Sequence, residues 1–450
     1  MRVELSKPLS LAKISNLTNG ILIGDKNAII KAITTDSREL QNGDMFIAIK
    51  GERFDGADYI SDVKKRGGFV LSPSLKNTDI LHPNSADALL SLAHNYIKTL
   101  PYILYKIAIT GSVGKTTTKE FLKILLSNRY ITHASSGNFN NQIGMPMSVL
   151  SASQDNQILI IEMGMNHPGE ISKLSKCLCP DKALITNIGT AHIGNLGSRE
   201  NIARAKMEIT DGMNGGILLV PDDEPLLKDV KNKIVFSFTD INADYFMKTC
   251  PGEKLSFYKN GVLFSEAMFS VIGEHNKKCL LAAVSLAIEL GLSSEEVSYG
   301  ISLISGDNTR QKTFCKENLY FFTDFYNASR ESVLAFIKSA EEATTNFSKS
   351  LFLGDILELG NMSDEIHFEI GKAISPEVFS SLFLFGKSIS ETYRGAVENG
   401  FPPDRIFINQ NISNPLLSAM QIRKNCSPND MIFMKASRGL RLERILDCFS

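Results

Sequence analysis

The sequence predicts an α/β protein of three domains, in which the central domain has a mostly parallel, doubly wound sheet. Its 450 residues suit about three domains of ~150 residues each. Short apolar runs, typical of buried strands, alternate along the chain with segments of helical periodicity. The hydrophobic content of 43% allows each domain to bury a core of its own.

The three domains are expected at residues 1–84, 85–308 and 309–450. A turn and a short strand are predicted in the first domain at 43–51, and a helix at 86–100 leads into the second. Central strands are predicted at 107–109, 157–161, 183–188, 216–220 and 233–238, with β-rich segments at 240–272. Central helices are predicted from Thr116, at 200–209, 280–290 and 294–301. In the third domain, strands are predicted at 320–323, 350–353, 381–385 and 431–434, and a helix at 331–343.

Charge and cysteine usage exclude several classes of protein. The 48 Lys and Arg residues balance the 49 Asp and Glu residues, so the chain lacks the positive charge typical of nucleic-acid-binding proteins. The seven cysteines are scattered at spacings that suit neither a zinc site nor a disulfide framework, which favours a reducing compartment. No secretory signal or 18-residue apolar run is visible, and we expect a cytoplasmic protein without membrane insertion.

The stretch 107–120 carries the strongest functional signal, because it predicts a strand, a glycine turn and a helix start in that order. Gly111 and Gly114 lack a Cβ and let the backbone approach a bound group closely. The helix N-terminus favours an anion, and Lys115 adds a positive charge for a phosphate. The Thr116 hydroxyl is a candidate Mg²⁺ ligand.

This stretch is a tighter form of the common phosphate loop. Ile109 stands where the pattern G-x-x-x-x-G-K-[ST] has its first glycine. The alternative is an ordinary glycine turn with a surface lysine. The order of strand, Gly-Lys-Thr and helix favours the phosphate loop.

Three further residues stand near predicted strand ends or on a helix face, and each has a structural alternative. Glu162 ends a predicted buried strand, where a carboxylate can hold Mg²⁺ or simply terminate the strand. His192 follows the strand predicted at 183–188; a lone histidine is more often structural, and only this position favours a metal or phosphate contact. Lys206 lies among the apolar residues of a predicted helix, and the pattern alone favours a snorkelling side chain over a functional one.

Other polar segments are candidates for binding substrate. The segment 137–144 contains three asparagines, so it is either an amide-rich binding loop or a surface turn. Ser37 and Arg38 are suited to a phosphate or carboxylate, but a solvated loop is the plainer interpretation. A predicted strand runs into Lys435–Gly439, which places two cations and a hydroxyl at its carboxyl end.

Taken together, these motifs resemble those of the ATP-dependent Mur ligases of peptidoglycan synthesis. The central motifs that carry the resemblance are T-G-S-V-G-K-T-T-T-K-E at 110–120, G-N-F-N-N-Q-I-G at 137–144, E-M-G-M at 162–165, T-N-I-G-T-A-H-I at 186–193 and A-R-A-K-M-E-I at 203–209. The flanking motifs resemble those of the members that add D-alanyl-D-alanine; they are T-D-S-R at 35–38, G-D-M-F-I-A-I-K-G-E-R-F-D-G at 43–56, L-G-D-I-L-E-L-G at 353–360, H-F-E-I-G at 367–371 and K-A-S-R-G at 435–439. The matches span the whole chain in the family's order.

The resemblance implies a UDP-binding first domain, a phosphate-loop ATPase domain and a Rossmann-like third domain. It also implies ATP-dependent ligation of UDP-N-acetylmuramoyl-tripeptide to D-Ala-D-Ala through an acyl phosphate, by a protein that we expect to be a monomer. The cofactors implied are ATP and Mg²⁺. By similarity, the residues for ATP and catalysis are Gly111, Ser112, Val113, Gly114, Lys115, Thr116, Thr117, Glu162, His192, Lys206, Asn276, Arg310 and Asp324.

Within that set, the resemblance assigns Thr116 and Glu162 to Mg²⁺, His192 to a second Mg²⁺, and Lys206 to a carbamylated lysine that binds the same second metal. It therefore reverses the interpretation of Lys206 as a snorkelling side chain. The substrate-binding residues implied are Ser37, Arg38, Asn138, Asn140, Asn141, Tyr326, Asn327, Lys435, Ser437 and Arg438.

The chain departs from the family pattern at two places that bear on these contacts. Cys279 stands where the family's H-N-x-x-N has its second asparagine, and the motif D-D-S-Y-N-A-N-P is here Thr323–Arg330, with Phe325, Ser329 and Arg330 as changes. Two alternatives therefore stand beside the dipeptide ligase. One is another amide ligase of this fold, such as MurE or folylpolyglutamate synthase, although no D-N-P-R segment is present. The other is a non-catalytic precursor-binding relative.

Overall fold

The described residues form three β-sheets that follow one another along the chain. The structure is a computed structural model, and it describes residues 1–51, 54–137, 139–271, 273–305, 312–325 and 327–450. The predicted α/β class is confirmed. The sheets occur in the order of the three predicted domains, whose boundary residues stay a prediction.

The first sheet has six strands in the order β1-β3-β4-β5-β6-β2. Its strands are β1 (Arg2–Ser10), β2 (Ile21–Leu22), β3 (Ile29–Thr34), β4 (Met45–Ile47), β5 (Phe69–Ser72) and β6 (Ile80–Leu81). The helices in this part of the chain are α1 (Leu11–Thr18), α2 (Ile60–Lys65) and α3 (Ser85–Ile97). The Asn84 side chain caps α3, which buries Leu89, Leu92 and Tyr96 as the helical spacing predicts.

The central sheet has nine strands in the order β15-β14-β13-β12-β11-β10-β7-β9-β8. They are β7 (Tyr105–Thr110), β8 (Thr132–Ala134), β9 (Ile158–Glu162), β10 (Lys182–Ile185), β11 (Ile217–Pro221), β12 (Lys233–Ser237), β13 (Tyr245–Thr249), β14 (Lys254–Lys259) and β15 (Val262–Met268). The strands from β8 to β13 pair in parallel, and β14 and β15 are antiparallel. Strand β7 lies inside the sheet between β9 and β10, which places its carboxyl end where open α/β sheets bind ligands.

Both faces of the central sheet are covered, as a parallel sheet requires. Ile107 and Ile109 of β7 enter one apolar core, and Ala108 between them enters another. The covering helices are α4 (Lys115–Ser127), α5 (Gly144–Leu150), α6 (Glu170–Leu178), α7 (Ile193–Leu196), α8 (Arg199–Met207), α9 (Glu274–Glu289) and α10 (Ser294–Ser302). The predicted strand at 183–188 ends earlier, at Ile185, because Thr186 and Asn187 bond to the loop after β7 instead.

The third sheet has the order β16-β17-β21-β18-β19-β20 and is parallel except at β16. Its strands are β16 (Lys312–Lys316), β17 (Leu319–Asp324), β18 (Lys349–Gly354), β19 (Phe379–Phe385), β20 (Ile406–Asn409) and β21 (Met431–Lys435). Its helices are α11 (Arg330–Glu342), α12 (Ser363–Lys372), α13 (Ile389–Glu398), α14 (Pro415–Asn425) and α15 (Glu443–Leu446). Across the described parts of the chain, no helix has the length and apolar character needed to span a membrane.

Candidate active site

The loop after β7 is built around two glycines. Gly111 has a φ of +150° and Gly114 a φ of +84°, both unfavourable for residues with a side chain. A Cβ on Gly111 would lie 1.9 Å from the Thr186 Oγ1 atom, which itself donates a hydrogen bond of 2.5 Å to the Val113 carbonyl. Glycine is therefore required by space as well as by backbone conformation at residue 111.

The loop leads into the N-terminus of α4, where Lys115 is the first helical residue. The Lys115 ammonium donates to the Gly111 carbonyl at 2.7 Å and so folds back over the loop. On the other side, the Asn187 Oδ1 atom accepts hydrogen bonds from the Ser112 and Val113 amides at 3.1 and 3.0 Å. A helix N-terminus and a cation thus lie at one point, and this combination suits a phosphate group.

Glu162 ends β9, the strand beside β7, and contacts the first turn of α4. The Thr116 hydroxyl donates to Glu162 Oε2 at 2.6 Å, and the Asn140 amide donates to Glu162 Oε1 at 2.8 Å. The Glu162 amide donates to Ser135 Oγ at 3.1 Å, which fixes the strand end. A hydroxyl and a carboxylate oxygen thus lie together beside Lys115, and this donor set suits a Mg²⁺ ion bound to phosphate.

Lys206 projects from α8 into the same region and is only 2% exposed. Burial, and secondarily the positive charge of Lys115, lower the pKa of Lys206 well below its usual 10.5. Among the described residues, no carboxylate lies within ion-pair distance of its ammonium. A snorkelling lysine would expose its charged end, so that interpretation is wrong for Lys206.

His192 precedes α7 in a left-handed backbone conformation, with a φ of +63°. Its Nδ1 atom lies 2.8 Å from Glu358 Oε2. The nearby imidazole lowers the pKa of the Glu358 carboxyl. The two residues bring the central and C-terminal domains into contact.

A cleft of about 840 Å³ contains most of these groups. From the central domain it is lined by Gly111, Ser112, Val113, Lys115, Asn140, Asn141, Glu162, His192 and Lys206, and from the C-terminal domain by Asn327, Ala328, Ser329, Ser332, Leu357, Glu358, Ser437, Arg438 and Gly439. The structure thus brings predicted residues from the phosphate, metal and dipeptide groups to one interdomain space, although Gly114, Thr116 and Lys435 do not line it.

A smaller cavity of about 130 Å³ lies next to the loop, on the side of α9. Thr118 lines it and is fully buried, yet its hydroxyl has no hydrogen-bond partner among the described residues. Cys279 also lines it and donates a weak hydrogen bond of 3.7 Å to the Gly114 carbonyl. Thr118 carries no functional signal in the sequence, where it has the pattern of an ordinary helical residue.

Several predicted site residues lie elsewhere. Ser37 and Arg38 form a short turn of the first domain outside the cleft, and Arg38, with 87% of its side chain exposed, pairs with the neighbouring Asp36. Asn276 is buried in the first turn of α9 and lines neither cavity. Thr117 is buried in the first turn of α4.

Lys435 and Asp324 form a pair inside the C-terminal domain. The Lys435 ammonium donates to Asp324 Oδ2 at 2.6 Å and to the Asn327 carbonyl at 3.1 Å, and neither Lys435 nor Asp324 lines the cleft. Three other predicted residues, Asn138, Arg310 and Tyr326, fall outside the residues that the structure describes.

Two departures from the family pattern have a structural role. Ser329 is the N-cap of α11 and forms a capping box with Ser332. The Ser329 hydroxyl accepts a hydrogen bond from the Ser332 amide at 3.3 Å, and the Ser332 hydroxyl accepts one from the Ser329 amide at 2.9 Å. Phe325 packs against the third-domain core and lines a shallow pocket beside Arg438. The changes at 325 and 329 therefore serve packing and capping in this chain.

Comparison with known proteins identifies the family of the chain. Residues 109–287 match the model of the Mur ligase middle domain, and residues 29–89 match that of the Mur ligase family catalytic domain. The UDP-N-acetylmuramoyl-tripeptide–D-alanyl-D-alanine ligase of Bacillus subtilis is 34% identical over 450 residues, which cover 97% of each chain. The counterpart from Rickettsia prowazekii is 30% identical over 99% of each chain.

Two solved structures extend the comparison to three dimensions. A crystal structure of MurF from Acinetobacter baumannii superposes with a TM-score of 0.85, at 30% identity and 99% coverage of each chain. MurF from Thermotoga maritima in complex with ADP gives a TM-score of 0.79 at 27% identity, covering 92% of this chain and 96% of that one. With a phosphate loop, a facing C-terminal domain and relatives that match it from end to end, this chain belongs to the Mur ligase family.

Proposed function

We propose that the chain is an ATP-dependent amide ligase that joins D-alanyl-D-alanine to UDP-N-acetylmuramoyl-tripeptide, forming the pentapeptide precursor of peptidoglycan. The observation that carries this proposal is the single cleft in which the phosphate loop faces Asn327, Ser437 and Arg438 of the C-terminal domain. A ligase of this kind must bring a nucleotide and two further substrates to one place. The full-length relatives that carry this name support the choice of substrates.

The chemistry follows from the low reactivity of a carboxylate as an acyl donor. Transfer of the γ-phosphoryl group of ATP to the terminal carboxylate of the tripeptide gives an acyl phosphate. The free amine of the dipeptide then attacks the acyl carbon, the new C–N bond forms, the C–O bond to phosphate breaks, and phosphate leaves. Positioning and charge neutralisation dominate such a transfer, and Lys115 is placed to neutralise the β- and γ-phosphates.

Mg²⁺ is proposed as the cofactor, held by Thr116 and Glu162. Their oxygens lie 2.6 Å apart at the helix N-terminus, and Asn140 fixes the other carboxylate oxygen. A bound Mg²⁺ ion would neutralise charge that develops on the phosphate oxygens. Glu162 and Asn140 orient this donor set before the nucleotide arrives, which limits the reorganisation needed in the reaction.

Lys206 is proposed to carry a carbamate that serves, with His192, as a ligand of a second Mg²⁺ ion. Carbon dioxide reacts with a neutral amine: the N–C bond forms and a proton is released. The burial of Lys206 favours that neutral amine, because burial disfavours its ammonium form. The product is an anion beside Lys115, which converts an unpaired buried cation into a metal ligand.

The remaining substrate contacts are proposals by position. Asn140 and Asn141 lie beside the phosphate loop for the muramoyl peptide, whereas Ser37 and Arg38 are assigned to the uridine diphosphate end. Arg438 is the better candidate for the dipeptide carboxylate because it lines the cleft, although it also pairs with Glu443, whereas Lys435 pairs with Asp324 and does not line the cleft. Asn276 and Asp324 are assigned to the nucleotide. The reaction is placed in the cytoplasm, where ATP and nucleotide-linked precursors are made, with the protein acting as a monomer.

The test is phosphate release from ATP in the presence of UDP-N-acetylmuramoyl-tripeptide, with and without D-Ala-D-Ala. We expect release that depends on both substrates and is lost in Lys115→Ala. Release that ignores the dipeptide, or no release, would defeat the proposal. A parallel assay with UDP-muramoyl-dipeptide and diaminopimelate separates this function from a MurE-like ligase, which alone would respond to that pair.

A further inference from the structure

The segment 189–194 lies between the phosphate loop and the C-terminal domain. On the phosphate-loop side, the Gly189 amide donates to Ser112 Oγ at 2.8 Å. Two residues earlier, Asn187 accepts from two amides of the phosphate loop. A shift of this segment therefore moves groups that contact the phosphate loop directly.

Two carboxylates of the C-terminal domain hold the same segment from the opposite side. Glu331, in the first turn of α11, accepts from the Thr190 amide at 2.9 Å and from the Thr190 hydroxyl at 3.3 Å. Glu358 places its carboxylate 2.8 Å from His192 Nδ1, and its backbone carbonyl accepts from the Gly194 amide at 3.3 Å. The contacts come from two separate elements of the C-terminal domain, so they fix the segment at both of its ends.

Glycines occur where the C-terminal domain lies closest to the segment 189–194. A Cβ on Gly189 would lie 2.7 Å from the carboxylate carbon of Glu331, and a Cβ on Gly194 would lie 2.7 Å from the Glu358 carbonyl oxygen. At Gly194 the nearest atoms belong to the backbone of residues 358–360, so a side chain has no room there. At Gly189 they belong to the end of the Glu331 side chain, which would have to move to admit a Cβ. At both glycines the nearest atoms therefore come from the C-terminal domain.

His192 of the segment and Glu358 of the C-terminal domain, which contact each other, both have strained backbones. His192 has a φ of +63° and Glu358 a φ of +66°, values that cost non-glycine residues of order 1–3 kcal/mol each. The conformation at Glu358 is supported by its neighbours: the Ile356 amide donates to His367 Nε2 at 3.1 Å and the Leu357 amide to Ser437 Oγ at 2.9 Å. Such strain is retained where the surrounding structure imposes a particular geometry.

We propose that Glu331 and Glu358 are positioning residues that clamp the segment 189–194, so that His192 and the phosphate loop reach their working positions only when the C-terminal domain is docked. The inference rests on the ligase function proposed above. Glu331 is the cleaner test, because it does not line the cleft and holds the segment through its hydrogen bonds to Thr190.

The first experiment measures hydrogen–deuterium exchange of the peptide containing Thr190 in the protein without substrates. Removing a hydrogen bond to a charged acceptor should raise exchange of the Thr190 amide about tenfold to a hundredfold in Glu331→Ala. Glu331→Gln retains one acceptor oxygen and should restore part of the protection. The matched control is Lys338→Ala, which removes a 2.7 Å pair between the same helix and Glu274 of α9 and should leave the segment unchanged.

The second experiment is a double-mutant cycle between Gly189→Ala and Glu331→Ala, read as kcat and KM in the ligation assay. Gly189→Ala should lower kcat at least about tenfold alone, but much less in the Glu331→Ala background, where the methyl group has room. In Glu331→Ala alone, kcat should fall and the KM for ATP should rise, because the released segment no longer holds the phosphate loop in position.

Unchanged exchange at Thr190 in Glu331→Ala, or additive effects in the cycle, would overturn the clamp. The exchange measurement needs no catalysis. Altered exchange in a protein that releases no phosphate would leave the clamp standing as a structural contact and reject the proposed function. Normal ligation with unaltered exchange at Thr190 would support the proposed function and reject the clamp.

Discussion

Replacing Lys206 with methionine should make the folded protein more stable at neutral pH. Methionine has a similar volume and no charge. Burial and the neighbouring Lys115 lower the pKa of Lys206 well below 10.5 in the folded state, whereas the unfolded chain holds the proton at the usual affinity. Folding of the wild-type protein therefore requires either burying the charged ammonium of Lys206 or releasing its proton, and both cost free energy. The methionine variant has no such cost.

The pH dependence follows from proton binding. Between the folded-state pKa and 10.5, the unfolded chain binds more protons at Lys206 than the folded chain does. The free energy of unfolding of the wild type therefore rises with pH in that window, by up to about 1.4 kcal/mol per pH unit from this group. The advantage of Lys206→Met is largest below the folded-state pKa, shrinks across the window and disappears above 10.5.

Urea unfolding at about pH 7, 8 and 9 in buffer free of carbon dioxide measures this difference. Exchange of the peptide containing α8 reports on the central domain specifically. The control is Lys176→Met, at an exposed position of α6, which should follow the wild type at each pH. If the wild type and Lys206→Met showed parallel pH curves, the folded protein would not be excluding a proton from Lys206, and the reasoning would fail.

Substitutions at other cleft residues separate the carbamate, metal and nucleotide contributions. Lys206→Ala should nearly abolish phosphate release, and high bicarbonate or a short carboxylic acid should restore part of it; full activity in the variant would exclude the carbamate. Glu162→Gln should raise the Mg²⁺ concentration for half-maximal rate at least about tenfold, whereas an unchanged Mg²⁺ titration would contradict its role as a ligand. Thr118→Val should raise the KM for ATP about tenfold at an unchanged Tm, because the Thr118 hydroxyl has no hydrogen-bond partner among the described residues. A lower Tm with a normal KM would show that the hydroxyl contributes to stability instead.

The phosphate loop was predictable from sequence because its determinants are local. A strand, two glycines, Lys115 and a helix start fall within 14 consecutive residues, and each signal acts on its immediate neighbours. Glu162 was predictable for a different reason: it ends a buried apolar run, and the carboxyl ends of parallel strands lie at one edge of a sheet. The loop thus depends on local signals, and Glu162 on a general rule of sheet topology.

Contacts between distant segments could not be predicted in that way. Periodicity alone favoured a snorkelling Lys206, because a helical pattern shows the face of a residue but not what covers that face. The strand before His192 ends three residues earlier than predicted, since Thr186 and Asn187 turn to the phosphate loop. Glu331 carries no local signal at all, and its partner Thr190 is 141 residues away.

Lys115 and Lys206 line the same cleft, and the positive charge of Lys115 has opposite effects on the two charged forms of Lys206. The Lys115 charge disfavours the Lys206 ammonium, yet it would favour a carbamate anion at the same nitrogen. One charge therefore promotes both the neutral amine that reacts with carbon dioxide and the anion that forms. Lys115→Met should accordingly reduce the carbamate signal in the ¹³C NMR spectrum of protein equilibrated with ¹³C-bicarbonate. Lys176→Met should leave that signal intact, and an undiminished signal in Lys115→Met would show that burial alone controls the reactivity of Lys206.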